Sequence, residues 1–289
     1  VYNYNYLAEN IIVYVVDTGI YNDPNHFQDR VKDGISFVSG DPSVLDCNGH
    51  GTHVSSIIAS TYYGVAKNVT IVPVRIFGCE GGTAVSTVIK AINWILQQNS
   101  TKSPTKAVIN MSNSGGYSEV LNNAMQAAFN AGFVVVAAAG NDDHNSCLNS
   151  PASTKSIITV GCYNKTGQVC SFSNQGPCVD IFAPGELILG LFPDSVPLVI
   201  SGTSMSAPHV SGVIAIMMSV YKNKTPAQLR NILVGIASAG KLSGFAIKNT
   251  VNLKLLSLQS KLCQYGIVEC KKNNICLWNR KSRYCYLKF

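Results

Sequence analysis

The stretch VYVVDTGI, residues 13–20, is an apolar β-branched run that ends abruptly on an aspartate and a turn. It alternates with nothing: Val, Tyr, Val and Val follow one another without a polar break. A strand of that kind is covered on both faces, as in a mostly parallel sheet. Asp17 then falls at the carboxyl end of the strand, the edge where open α/β sheets place their sites. Working outward, TIVPVRI (70–76), KAVINM (106–111), FVVVAAA (133–139) and SIITVG (156–161) repeat the same continuous apolar character. Between them TAVSTVIKAINWILQQ (83–98) and EVLNNAMQAAFNAG (119–132) have the spacing of amphipathic helices, and Gly132 closes the second. Strand and helix in alternation predict an α/β fold with helices on both faces of the sheet.

Two further segments share the character of a strand or helix end carrying a reactive side chain. In DCNGHGTHVSSIIAS, glycines flank His50 at a turn entering a helix, and His53 lies one turn further in. In SGTSMSAPHVSGVIAIMM, Ser204 opens a long apolar helix whose first amides are unpaired and partly positive. Serine is a weak nucleophile without an adjacent base. Histidine supplies that base near neutral pH, and an aspartate orients it and stabilises the imidazolium. Asn141, after the strand VVVAAAGN, can donate to a developing oxyanion together with the Ser204 N–H. Loss of one such donor costs roughly 10²–10³ in turnover. Each segment alone reads as an ordinary turn or helix cap. Their conjunction, in the chain order Asp, His, Ser, selects acyl transfer by nucleophilic catalysis. His26, His53, His144 and His209 read as structural or surface groups.

Composition fits a compact globular chain. Charged residues are only 13% of 289, against 46% apolar with 24 glycines, which excludes a disordered chain. The apolar run at 210–220 is too short to span a bilayer and reads as a core helix. Ten cysteines, spread along the chain, favour disulfides and an oxidising compartment. Cys162 and Cys170 flank YNKTGQV, a hairpin-turn composition, and are paired by that proximity. Sequons stand at Asn68, Asn99, Asn110, Asn164 and Asn223, Asn110 being discounted because its run is apolar. The start at Val1 is read as that of a processed or trimmed chain. Residues 1–258 form the main domain and 259–289 a cysteine-rich basic tail. The tail holds seven basic residues against Glu269 alone, six of the formal charge of +7. With Trp278, Tyr284 and Tyr286 among them, it is expected either to bind acidic surfaces or to serve as a solvated cap. A secreted chain argues against nucleic acid as a partner.

VVDTGI, NGHGTH, AAAGN and GTSMSAPHV together resemble the motifs of the subtilases, most closely the proteinase K-like branch, from about Asn10 to about Leu258. The resemblance implies a subtilisin-like three-layer α/β fold and a monomeric endopeptidase acting on polypeptides, freed from a cleaved inhibitory propeptide, with no cofactor in catalysis. It gives Asp17, His50 and Ser204 the triad roles and Asn141 the oxyanion role. It implies a substrate-binding strand in Ser112, Asn113, Ser114 and Gly115, where the family pattern is Ser-Leu-Gly-Gly. That departure leaves open, as the alternative, a catalytically weak or inactive subtilase that binds or regulates. The resemblance places Ala138, Ala139 and Gly140 along the wall of the S1 pocket, with Ala152 near its floor. It pairs Cys47 with Cys79 and Cys147 with Cys178, the alternative for Cys47 being a free thiol. The tail cysteines Cys263, Cys270, Cys276 and Cys285 allow three connectivities. A structural calcium is implied at the Asp180 carboxylate and the carbonyls of Lys155 and Ile157.

Overall fold

The computed structural model describes residues 8–100 and 107–255, with the backbone of two short strands at 277–279 and 284–286. Cys263, Cys270 and Cys276, the boundary at 258 and most of the basic tail lie outside the described residues, as does the side chain of Cys285.

In chain order the first half comprises β1 (Ile12–Asp17), α1 (Pro24–Phe27), β2 (Ile35–Ser36), α2 (His50–Ala59), β3 (Thr70–Arg75), α3 (Val85–Ser100), β4 (Ala107–Met111), β5 (Gly115–Gly116), α4 (Glu119–Asn130) and β6 (Val134–Ala138). There follow β7 (Asn149–Ser150), β8 (Ile158–Tyr163), β9 (Ile181–Pro184), β10 (Ile188–Phe192), β11 (Val196–Ile200), α5 (Thr203–Val220), α6 (Pro226–Ile236), β12 (Ser238–Ala239) and β13 (Leu253–Lys254). The tail contributes β14 (Leu277–Asn279) and β15 (Tyr284–Tyr286), which pair with each other antiparallel.

Nine strands form one sheet in the order β12-β13-β9-β8-β6-β4-β1-β3-β2, parallel except where β12 meets β13. The unbroken apolar character of β1 has a simple cause. Val13 and Val15 point into a core shared with α2 and α5, whereas Tyr14 and Val16 point into the opposite core shared with α3 and α4. Alternate side chains of a strand serve opposite faces, so a strand covered twice needs apolar residues at every position. The result is a three-layer α/β fold. Helix α5 is the one described helix long and apolar enough to cross a membrane, and it lies mostly buried among sheet and helices. It begins at Thr203, earlier than its apolar run alone suggests.

Chain order places the site. From β1 the chain passes to β3 on one side of the sheet, then returns across β1 to β4 on the other. The carboxyl ends of β1 and β4 therefore flank a topological switch point, the crevice in which open parallel sheets bind ligands. Among the described residues the disulfides are Cys47–Cys79, Cys147–Cys178 and Cys162–Cys170, the pairs set out above.

Candidate active site

Asp17 ends β1 and is fully buried. Its Oδ1 accepts the Thr18 backbone N–H at 2.8 Å and stands 2.8 Å from His50 Nδ1. The imidazole carries its proton on Nδ1 toward the carboxylate, which leaves Nε2 as the free basic nitrogen. Burial alone would lower the His50 pKa. The charge and hydrogen bond of Asp17, with the charge of Asp46, outweigh it and hold the group above its ordinary 6.5.

Asp46 was not singled out in the sequence, yet it organises this corner. Its Oδ1 accepts from Thr18 Oγ1 and from the N–H groups of Asn48 and Gly49. Its Oδ2 accepts from the N–H and hydroxyl of Thr52. A buried carboxylate thus caps the start of α2, where amides have no helical partner. Gly49 makes the turn possible. It sits at φ +102°, and a Cβ there would lie 2.1 Å from the Phe192 ring.

Ser204 is the second residue of α5. Pro208 lies four residues further on and has no N–H, so the Ser204 carbonyl lacks its helical donor. Ser112 Oγ takes that place at 2.9 Å. The hydroxyl in turn accepts from Asn110 Nδ2, and Asn110 Oδ1 accepts from Ser211 Oγ one turn beyond Pro208. A buried polar chain therefore fixes the start of α5 against the end of β4. Thr203 performs the same office on the other side. Its N–H and hydroxyl both donate to Asn141 Oδ1, at 2.8 and 2.9 Å, and its hydroxyl also accepts from Gly140 N–H. With the oxygen of Asn141 engaged, its amide nitrogen is left as a donor.

His50, Asn141, Ser204, Ser112, Asn113, Ser114, Ala138 and Gly140 all line one open cleft of about 370 Å³. Phe77, Gly81 and Gly82 line it too, on the loop tied by the Cys47–Cys79 bridge. Sequence reasoning missed that wall, although the double glycine in GCEGGT is its signal. Three expected pocket residues do not reach the cleft. Ala139, the residue just past β6, faces away from Ala138 into a separate buried cluster. Ala152 is buried with its carbonyl accepting from Thr159 Oγ1. Gly115 lies beyond the cleft lining, paired with Ser150 across β5 and β7.

His26, His53 and His209 are structural. His53 Nε2–H donates to the Leu198 carbonyl, and His209 Nδ1–H to that of Met205. His26 is buried against Tyr62 and Tyr63.

The calcium expected at Asp180, Lys155 and Ile157 does not fit the donor set. One Asp180 oxygen is ion-paired with Arg230 and the other accepts the Thr159 N–H at 2.9 Å. Burial pushes this carboxyl up, against the lowering effect of Arg230. A guanidinium already supplies the positive charge a divalent cation would bring. Among the described residues no group of three or more His, Cys, Asp or Glu could hold a metal ion.

Comparison with known proteins agrees with this architecture. The profile of the subtilase family matches residues 8–258. The chain is 40% identical over 262 residues to the alkaline serine exoprotease A of Vibrio alginolyticus, covering 91% of this chain and 48% of that protein. It is 44% identical over 239 residues to an extracellular serine proteinase of Thermus sp. (strain Rt41A), covering 82% and 57%. The chain thus spans about half the length of these curated relatives. A crystal structure of a cold adapted subtilisin-like serine proteinase superposes with a TM-score of 0.82 at 42% identity, over 89% of this chain and 92% of that one. A profile match across nearly all the described residues, with relatives and a solved structure at this identity, makes the chain a member of the subtilase family.

Proposed function

We propose that this protein is a secreted serine endopeptidase of the proteinase K-like branch, acting through Asp17, His50 and Ser204. The observation that carries the reading is the shared cleft. It is lined by an aspartate-held imidazole, a serine at a helix start and an amide donor fixed by Thr203. Ser204 Oγ attacks the peptide carbonyl while His50 Nε2 takes its proton. The imidazolium that forms is stabilised by the buried Asp17 carboxylate. The Ser204 N–H and Asn141 Nδ2 receive the developing oxyanion, aided by the dipole of α5. His50 returns the proton to the leaving amine, and water then releases the acyl group by the same path in reverse.

The walls support an extended polypeptide as substrate. Ser112–Ser114 and the Gly81–Gly82 loop bound the cleft, and Ala138 and Gly140 leave a slot between small residues. Three disulfides among the described residues, and the relative named as extracellular, support secretion. The test is phenylmethylsulfonyl fluoride labelling with peptide mapping, alongside cleavage of an internally quenched peptide. Stoichiometric label on Ser204 with loss of cleavage is expected. An unlabelled Ser204, or cleavage undiminished in Ser204→Ala, would overturn the reading.

A further inference from the structure

The ladder between β1 and β4 ends at Val15 opposite Asn110, whereas that between β1 and β3 continues to Asp17 opposite Arg75. The two strands therefore part company at the switch point, two residues before the end of β1. On the β4 side the Val16 carbonyl has no backbone donor from the ladder. A buried carbonyl at such a position demands a partner. Asn113 supplies it: two residues past the end of β4, its Nδ2 donates to Val16 O at 2.8 Å. The same residue lines the cleft. The leucine of the related pattern could fill this volume but could not make the bond.

We propose that Asn113 is a positioning residue for the reaction, a side-chain rung that continues the sheet across the switch point and ties the cleft wall to the strand carrying Asp17. It holds the peptide bond between Val16 and Asp17, and so the direction from which the Asp17 carboxylate meets His50. Ser112, its neighbour, holds the Ser204 carbonyl. Two adjacent residues of one wall thereby brace both ends of the triad. This assignment rests on the proposed function.

The test uses sulfonyl fluoride inactivation, because that small reagent reports on the serine and its base without requiring the extended peptide that the cleft walls would bind. Asn113→Leu keeps the volume and removes the donor. The expected result is a pH-independent sulfonylation rate about ten- to a hundredfold lower, the scale of a displaced catalytic group. The pH midpoint should also move down, since the Asp17 contacts that raise His50 are weakened. An unchanged rate and midpoint, with only peptide kcat/KM altered, would reduce Asn113 to a substrate contact and overturn the assignment. A lower Tm with the rate and midpoint unmoved would overturn it equally. Should Asn113→Leu fail to fold, Asn113→Asp keeps the outline and turns an acceptor toward Val16 O. It is expected to lose rate on the alkaline plateau, and full rate would refute the idea. Failure to label Ser204 in the unsubstituted chain would instead refute the functional reading.

Discussion

Replacing Asp46 by alanine removes the acceptor of five donors at once: Thr18 Oγ1, the N–H groups of Asn48, Gly49 and Thr52, and Thr52 Oγ1. Four of these bonds lie in buried surroundings. Each buried donor left without a partner costs about 1–3 kcal/mol. The losses do not sum fully, because the turn at 47–52 can relax and admit water. A destabilisation of about 3–5 kcal/mol follows, the scale of breaking a buried polar network. At roughly 2–4 °C per kcal/mol this lowers Tm by about 6–20 °C. The assay is a thermal scan of sulfonyl fluoride-inhibited protein, so that autolysis does not contribute. A second readout is independent of stability. Asp46 is one of the charges that raise His50, so the midpoint of the pH–rate curve should fall in Asp46→Ala. A Tm change below about 2 °C, or an unmoved midpoint, would refute the claim that Asp46 organises this corner.

For the unsubstituted chain, activity should rise with pH through a midpoint above 6.5, because the base must be neutral and its folded pKa is raised. A kcat/KM profile with an acid optimum would contradict this. Asn141→Ala should lower kcat by about 10²–10³ with little change in KM, measured on a peptide ester and an amide. Arg230→Met should destabilise by about 2–4 kcal/mol by leaving Asp180 buried and unpaired, and Arg230→Met with Asp180→Asn should recover most of it. Calcium or a chelator should leave the Tm difference between the unsubstituted chain and Asp180→Asn unchanged, and a calcium-dependent difference would restore a cation to that site.

The five strands first read from sequence are the ones with continuous apolar runs, and β1, β3, β4, β6 and β8 occupy the middle of the sheet. Burial on two faces leaves a signature that needs no partner to be recognised. The hairpin β10–β11 left none, because Leu189, Val196 and Leu198 are apolar but exposed. The places of Asp17, His50 and Ser204 were legible because each stands at the end or start of a core element. What supports them was not. Asp46 bonds to Thr18 across 28 residues, Arg230 to Asp180 across 50, and Asn113 to Val16 across 97. Such pairs are set by how strands are ordered in the sheet, and local pattern carries no trace of that order. The motif around Asp180 is likewise visible in the sequence, whereas the arginine paired with it arrives from a distant helix.

Asn110 carries a conflict between two readers of one sequence. In a host that attaches sugars to nascent chains, Asn-Met-Ser at 110–112 is a substrate as soon as it emerges unfolded. In the finished protein the nitrogen that would bear the glycan is the donor to Ser112, and the residue has no exposed surface. Sugar and native fold exclude one another there. The first to arrive wins: a chain that closes β4 early escapes modification, and a chain that is modified can no longer close it. Asn68, Asn164 and Asn223 reach the surface and pose no such choice. Occupancy at Asn110, read by mass spectrometry of material expressed in such a host, would therefore act as a clock for folding, with the glycan marking the molecules that lost the race.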